Sequence, residues 1–168
     1  MSWKKLVAAV ALVWPVFAWC AGPPVLKNWF NDPFIQLSRA LPACPVPLGP
    51  MMAEADIKQE EHSRVERGTT CWLSGKCEKP NAYMYDQDIA GAVRQSFGDG
   101  AAFGDSSLWI TVKRKFVWVE GCMADPSQSA ALEKMLRAAP HVEAVFIDVM
   151  RGVEGKPPYV AKSGTAVD

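Results

Sequence analysis

The chain has 168 residues, 49% hydrophobic and 21% charged, with 18 basic and 18 acidic side chains. That composition excludes a disordered polymer, which needs low hydrophobicity and a large net charge. Balanced charge also leaves no excess of cations for a phosphate backbone, so nucleic acid is not an expected partner.

Residues 1–18 read as a secretory signal, with Lys4 and Lys5 as a short basic start and an apolar run over 6–17 broken only by Pro15. The run is shorter than the ~20 residues that span a bilayer, so cleavage is expected rather than a retained anchor. Val16, Phe17 and Ala18 set the cut before Trp19, and loss of Lys4 and Lys5 leaves 16 basic against 18 acidic residues. Cys20 invites lipid attachment, but Trp19 stands where such a motif wants a small residue. A periplasmic protein, soluble or associated with a membrane surface, is the expectation, and in that compartment thiols oxidise. Cys44, Cys71, Cys77 and Cys122 then allow three pairings. The simplest closes a small loop between Cys71 and Cys77 around Gly75 and leaves Cys44 to tie to Cys122.

Residues 19–80 form a helical, proline-rich flank. Asp32 followed by Pro33 predicts a helix start, with Phe34, Leu37 and Leu41 on its apolar face. Four prolines within 41–50 then impose an extended connector. Residues 53–67 are polar enough for a solvated helix stopping at Gly68, and 69–80 form the cysteine loop.

A domain is expected over 81–152. Asp86 is the predicted N-cap of a helix whose buried stripe is Ile89, Ala92, Val93 and Phe97, ending by Gly98. Leu108, Ile110 and Val112 alternate as a half-buried strand, Arg114 and Lys115 form a hairpin turn, and residues 116–120 form the second strand. Asp125 with Gln128 reads as a capping box for a second helix with Leu132, Met135, Leu136 and Ala139 inside; Pro140 stops it and 142–149 returns as a strand. The expected fold class is α+β: a small mixed three-stranded sheet with two helices on one face, in the order αββαβ, and a flexible tail over 153–168. Alternation sends Trp109, Phe116 and Trp118 to the face opposite the helices, and three large aromatics are not normally left together in water.

The residues Asp88-Ile89 with Val93, Ile110-Thr111-Val112, Val117-Trp118-Val119-Glu120-Gly121 and Val142-Glu143-Ala144-Val145 resemble the BON domain family of exported envelope proteins. The resemblance covers 81–152 and implies binding of phospholipid or of envelope partners at the outer membrane or periplasm, without catalysis. On that reading Lys113, Arg114 and Lys115 meet anionic headgroups while Trp109, Phe116 or Trp118 enters the interface. The alternative is a structural accessory subunit of an envelope-spanning secretion or transport complex, with the flank or a partner covering the aromatics.

Catalytic chemistry finds no foothold in the residues. His62 and His141 lack metal-ligand spacing, and a His62 site with Cys71 and Cys77 would have to compete with disulfide formation, so no metal or other cofactor is expected. Five residues separate Cys71 from Cys77, which is not a thioredoxin-like spacing. Asp86 and Asp88 are more simply helix-start acids than a paired-carboxylate site, and Gly98, Gly100 and Gly104 follow a helix where a phosphate loop would precede one.

Overall fold

The structure is a computed structural model, describing residues 24–67, 69–98 and 100–162. The secretory segment 1–18 and Cys20 lie outside the described residues. In chain order the elements are β1 (Leu26–Lys27), β2 (Phe34–Arg39), β3 (Met52–Ala53), α1 (Ile57–Glu66), α2 (Thr69–Leu73), α3 (Asp86–Phe97), β4 (Ser106–Lys113), β5 (Phe116–Met123), α4 (Ser129–Arg137) and β6 (Ala144–Arg151). This is a mixed α+β fold with two sheets, a two-stranded β1–β3 ribbon and a four-stranded sheet in the order β2-β4-β5-β6.

The main sheet has four strands where the sequence pattern predicts three, because the predicted helix after Asp32 is the edge strand β2. It pairs antiparallel with β4, from Phe34 opposite Thr111 to Arg39 opposite Ser107, with an irregularity between Gln36 and Ser38. The physical reason is alternation: Ile35 and Leu37 pack on the helix-side core, whereas Phe34 packs on the opposite cluster. A six-residue segment gains more from a strand ladder and two-sided burial than from one and a half helical turns. Asp32 accordingly caps nothing; its carboxylate accepts from Arg64 Nη2 at 2.5 Å.

β4 and β5 form an antiparallel hairpin, and β5 and β6 run parallel, with α4 between them. Arg114 and Lys115 form the two-residue turn with φ of 51° and 67°, as the twist of a hairpin demands. Left-handed backbone costs a side-chain-bearing residue roughly 1–2 kcal/mol, so this turn needs support. Asp86 supplies it. It is the first residue of α3 and not its N-cap, and its carboxylate accepts from the backbone N–H of Arg114 at 2.7 Å and of Lys115 at 2.8 Å.

Asp125 caps a 3-10 turn, Pro126–Gln128, through the N–H of Ser127, so the predicted capping box with Gln128 is replaced by a tighter local turn ahead of α4. Gly121 is required by packing: φ is 140°, and a Cβ there would stand 2.1 Å from the Ser107 carbonyl oxygen of the adjacent strand.

The helix-side core joins Ile89, Val93 and Phe97 of α3 and Leu132 and Leu136 of α4 to Ile110, Val112, Val117, Val119 and Val145 of the sheet. Burying each such side chain is worth about 1.5–3 kcal/mol. The proline-rich connector crosses the opposite face, where Cys44, Trp109, Cys122 and Met150 form a second cluster with Phe34, Leu41 and Val46 packed against it. Cys44–Cys122 and Cys71–Cys77 are both disulfides, the pairing that the loop argument favours. Residues 153–162, expected as a flexible tail, are bonded to that connector: the Leu48 N–H donates to the Val160 carbonyl at 2.7 Å and the Lys162 N–H to the Val46 carbonyl at 2.9 Å.

Candidate functional site

The sheet face away from α3 and α4 divides into a covered end and an open end. At the covered end Trp109 is only 8% exposed, held beneath the connector against Cys44–Cys122 and Met150. Alternation does send it to this face, but it is no interface residue; the protein's own flank takes the place of a partner. At the open end Phe116 and Trp118 of β5 meet Phe146 of β6, placed beside Trp118 by the parallel register. Trp118 stacks on Phe146 at 5.4 Å between ring centroids, and Phe116 approaches both rings edge-on at 5.9 Å. Phe116 and Trp118 are half-buried and Phe146 is 43% exposed.

The three predicted cations are not equivalent. Lys113 Nζ lies 2.8 Å from Glu60 of α1, and Lys115 Nζ lies 2.8 Å from Glu143 and over the Tyr85 ring. Both ammonium groups are already neutralised. The Arg114 guanidinium instead lies 5.2 Å from the Phe116 centroid, joined there by Arg67 at 5.6 Å from the flank. Two guanidinium groups therefore border the aromatic cluster on its hairpin side. Sequence reasoning misses Arg67 and Phe146. Phe146 is within reach of the alternation rule, since it shares parity with the other outward residues of its strand, but its neighbours follow only from the parallel register.

The far border of the cluster is acidic. Glu120 of β5 lies opposite Asp148 of β6. Burial, reinforced by the negative charge of Asp148, pushes the Glu120 carboxyl up to about 7. Burial, with a smaller contribution from Glu120, pushes the neighbouring Tyr159 phenol up to about 12, and that phenol donates to the Pro45 carbonyl at 2.7 Å. The face thus runs from guanidinium through aromatic to carboxylate.

A separate cluster fastens α1 to the domain. Arg64 lies between the Phe30 ring at 3.9 Å and the Tyr83 ring at 4.3 Å. It pairs with buried Asp32, and its Nε stands 3.2 Å from Glu60 without being aligned to donate a hydrogen bond. Phe30, Asp32, Arg64, Tyr83 and Asp86 border a shallow cavity of about 320 Å³. The Asp86 carboxyl is pushed up to about 6 by burial, against the opposing pull of its two backbone donors. The two raised carboxyls have structural explanations, one holding a turn and the other facing Asp148, while the exposed Asp125 carboxyl is held below its ordinary value by the Ser127 hydroxyl and N–H that it accepts from. Among the described residues no group of three or more His, Cys, Asp or Glu could hold a metal ion, and no helix is long and apolar enough to cross a membrane. Two disulfides are compatible with an extracytoplasmic location.

Compared with known proteins, the chain matches no family model, no curated protein and no solved structure.

Proposed function

We propose that the chain is an exported, non-catalytic binding protein whose BON-like domain docks on an anionic phospholipid surface through Phe116, Trp118 and Phe146, with Arg67 and Arg114 meeting the headgroups. The observation that carries this reading is the cluster itself: three aromatic rings in mutual contact on an open sheet face, bordered by two guanidinium groups. Aromatic rings favour the membrane interface, and each basic residue near an anionic surface contributes about 1 kcal/mol. Two guanidinium groups therefore support a weak, salt-sensitive attachment. Lys113 and Lys115 leave the expected contact set because Glu60 and Glu143 already hold them.

Flotation with vesicles containing anionic lipid tests the reading. Association that weakens from low to moderate salt, and is lost when Arg67→Glu and Arg114→Glu are combined, is the expected result. No association at either salt concentration refutes it.

The accessory-subunit reading keeps one specific support. The flank already covers Trp109, and a protein partner would extend that cover over Phe116, Trp118 and Phe146. A photo-crosslinking residue at position 146 that captures one protein and no lipid in intact envelopes would favour this second reading.

A further inference from the structure

The strand β6 ends the main sheet, and among the described residues no strand pairs with its outer edge. An eight-residue edge with a hydrophobic centre is a template for another strand, and natural proteins rarely leave one without a device that governs what pairs there. The sequence from Glu143 to Arg151 has such a device, because it is nearly its own complement when read backwards. Two copies of a strand related by a two-fold axis pair antiparallel, and residues directly opposite each other then lie on the same face of the joined sheet. Three registers centre this pairing near the middle of β6.

With Asp148 opposite itself, two carboxylates meet at the axis, and like charges directly opposite are destabilising. With Phe146 opposite itself, Glu143 faces Val149 and Arg151 faces His141, so no charge finds an opposite. With Ile147 opposite itself, Val145 faces Val149, Phe146 faces Asp148, and Glu143 faces Arg151 twice over. All three registers set β-branched residues against one another, but this one alone also places an opposite charge at each end, and both kinds of pair stabilise antiparallel ladders. Glu143 and Arg151 are both exposed. Glu143 already meets Lys115 and Arg151 already acts on Asp125 within its own chain, so each end pair across the axis adds a second partner of opposite charge.

We infer that the chain forms a two-fold homodimer through β6, paired about Ile147 in one continuous eight-stranded sheet, with Glu143 of each copy against Arg151 of the other. Asp148 selects the register rather than blocking the edge. The two aromatic clusters then lie on the same face of the joined sheet, 43%-exposed Phe146 is partly covered, and any surface they contact is engaged twice. The inference does not depend on the lipid reading, since the edge pairs in the absence of membrane.

Sedimentation of the exported chain across a concentration series, without lipid, reads the dimer directly. Arg151→Glu should raise the dimer dissociation constant about tenfold or more, since both end pairs become repulsive. Glu143→Lys should do the same. Mixing the two variants should restore association. In the mixed pair the carboxylate introduced at position 151 of one copy faces the ammonium introduced at position 143 of the other, and the unchanged Glu143 faces the unchanged Arg151. Oxidation should cross-link the Ile147→Cys chain to itself, whereas Val145→Cys, which faces position 149, should remain uncoupled. A chain monomeric at all concentrations, a dimer insensitive to Arg151→Glu, a mixture no tighter than its components, or equal cross-linking from positions 145 and 147 overturns the proposal. Because no vesicle enters these measurements, their failure is distinct from a failure of flotation.

Discussion

Removing the disulfide between Cys44 and Cys122 tests whether the flank is an integral part of the fold. The bond spans 78 residues of sequence, whereas Cys71–Cys77 spans six. Closing a loop in the unfolded chain costs entropy that rises with the logarithm of its length, which makes the long bond worth about 4.5 kcal/mol and the short one about 2 kcal/mol. The long bond also packs against Trp109 and Met150 in the second cluster, so its loss frees the connector from the sheet and exposes a tryptophan. Replacing Cys44 and Cys122 together by alanine should therefore lower stability by roughly 4 kcal/mol, about twice the effect of replacing Cys71 and Cys77. Urea unfolding monitored by circular dichroism measures both variants against the native chain, and the emission lost on adding Trp109→Phe to each isolates Trp109 from the chain's other six tryptophans and reports its exposure. If the short-loop variant loses as much as the long-loop variant, or if emission is unchanged when Cys44 and Cys122 are gone, the account of the flank as a covalently fixed cover fails.

Glu120 makes stability depend on pH. Its folded carboxyl titrates near 7, above the ordinary 4.5, so the protonated form is favoured by folding and the stabilisation present at acidic pH is lost as pH rises through about 7. A shift of that size corresponds to at most about 3 kcal/mol; the group is half-buried, and solvent screening reduces the expected figure to roughly 1–2 kcal/mol. The difference in unfolding free energy between Glu120→Gln and the native chain should grow by that amount from pH 5 to pH 8, and a difference flat across the range contradicts the assignment. Arg64→Ala should cost about 3 kcal/mol, because it leaves the Asp32 carboxylate, whose side chain is 3% exposed, without its partner. Chemical denaturation reads this, and a loss below about 1 kcal/mol would show that Asp32 recruits water or another donor instead.

Local chemistry made the helices α3 and α4, the strands β4, β5 and β6 and the short Cys71–Cys77 loop legible, because each has a period, a breaker or a spacing that acts over a few residues, whereas Cys44–Cys122, 78 residues apart, followed only as the remaining pair. Ile89, Val93 and Phe97 share one helical face wherever the helix lies, and Ile110 and Val112 must leave a strand on the side opposite Trp109. The resemblance to BON domains rests on the same short apolar signatures and remains a proposal. Tertiary structure decided the rest. Asp32-Pro33 carries a sound helix-start signal, but the open edge of β4 offered the following residues a ladder and two buried faces, and long-range pairing outweighed local propensity. The tail over 153–162 has few strong local signals, and its order comes from bonds to the distant connector at Val46 and Leu48. Charge was the least legible feature: Lys113, Arg114 and Lys115 look alike in sequence, yet Glu60 and Glu143 arrive from distant segments to neutralise two of them, while Arg67 arrives from the flank to join the third. By itself the sequence determined which side of the sheet each aromatic takes, since alternation is a local property of the strand. Only the tertiary structure decided that Trp109 is covered and that Phe116, Trp118 and Phe146 remain partly open, because that depends on where a disulfide-tied flank comes to rest.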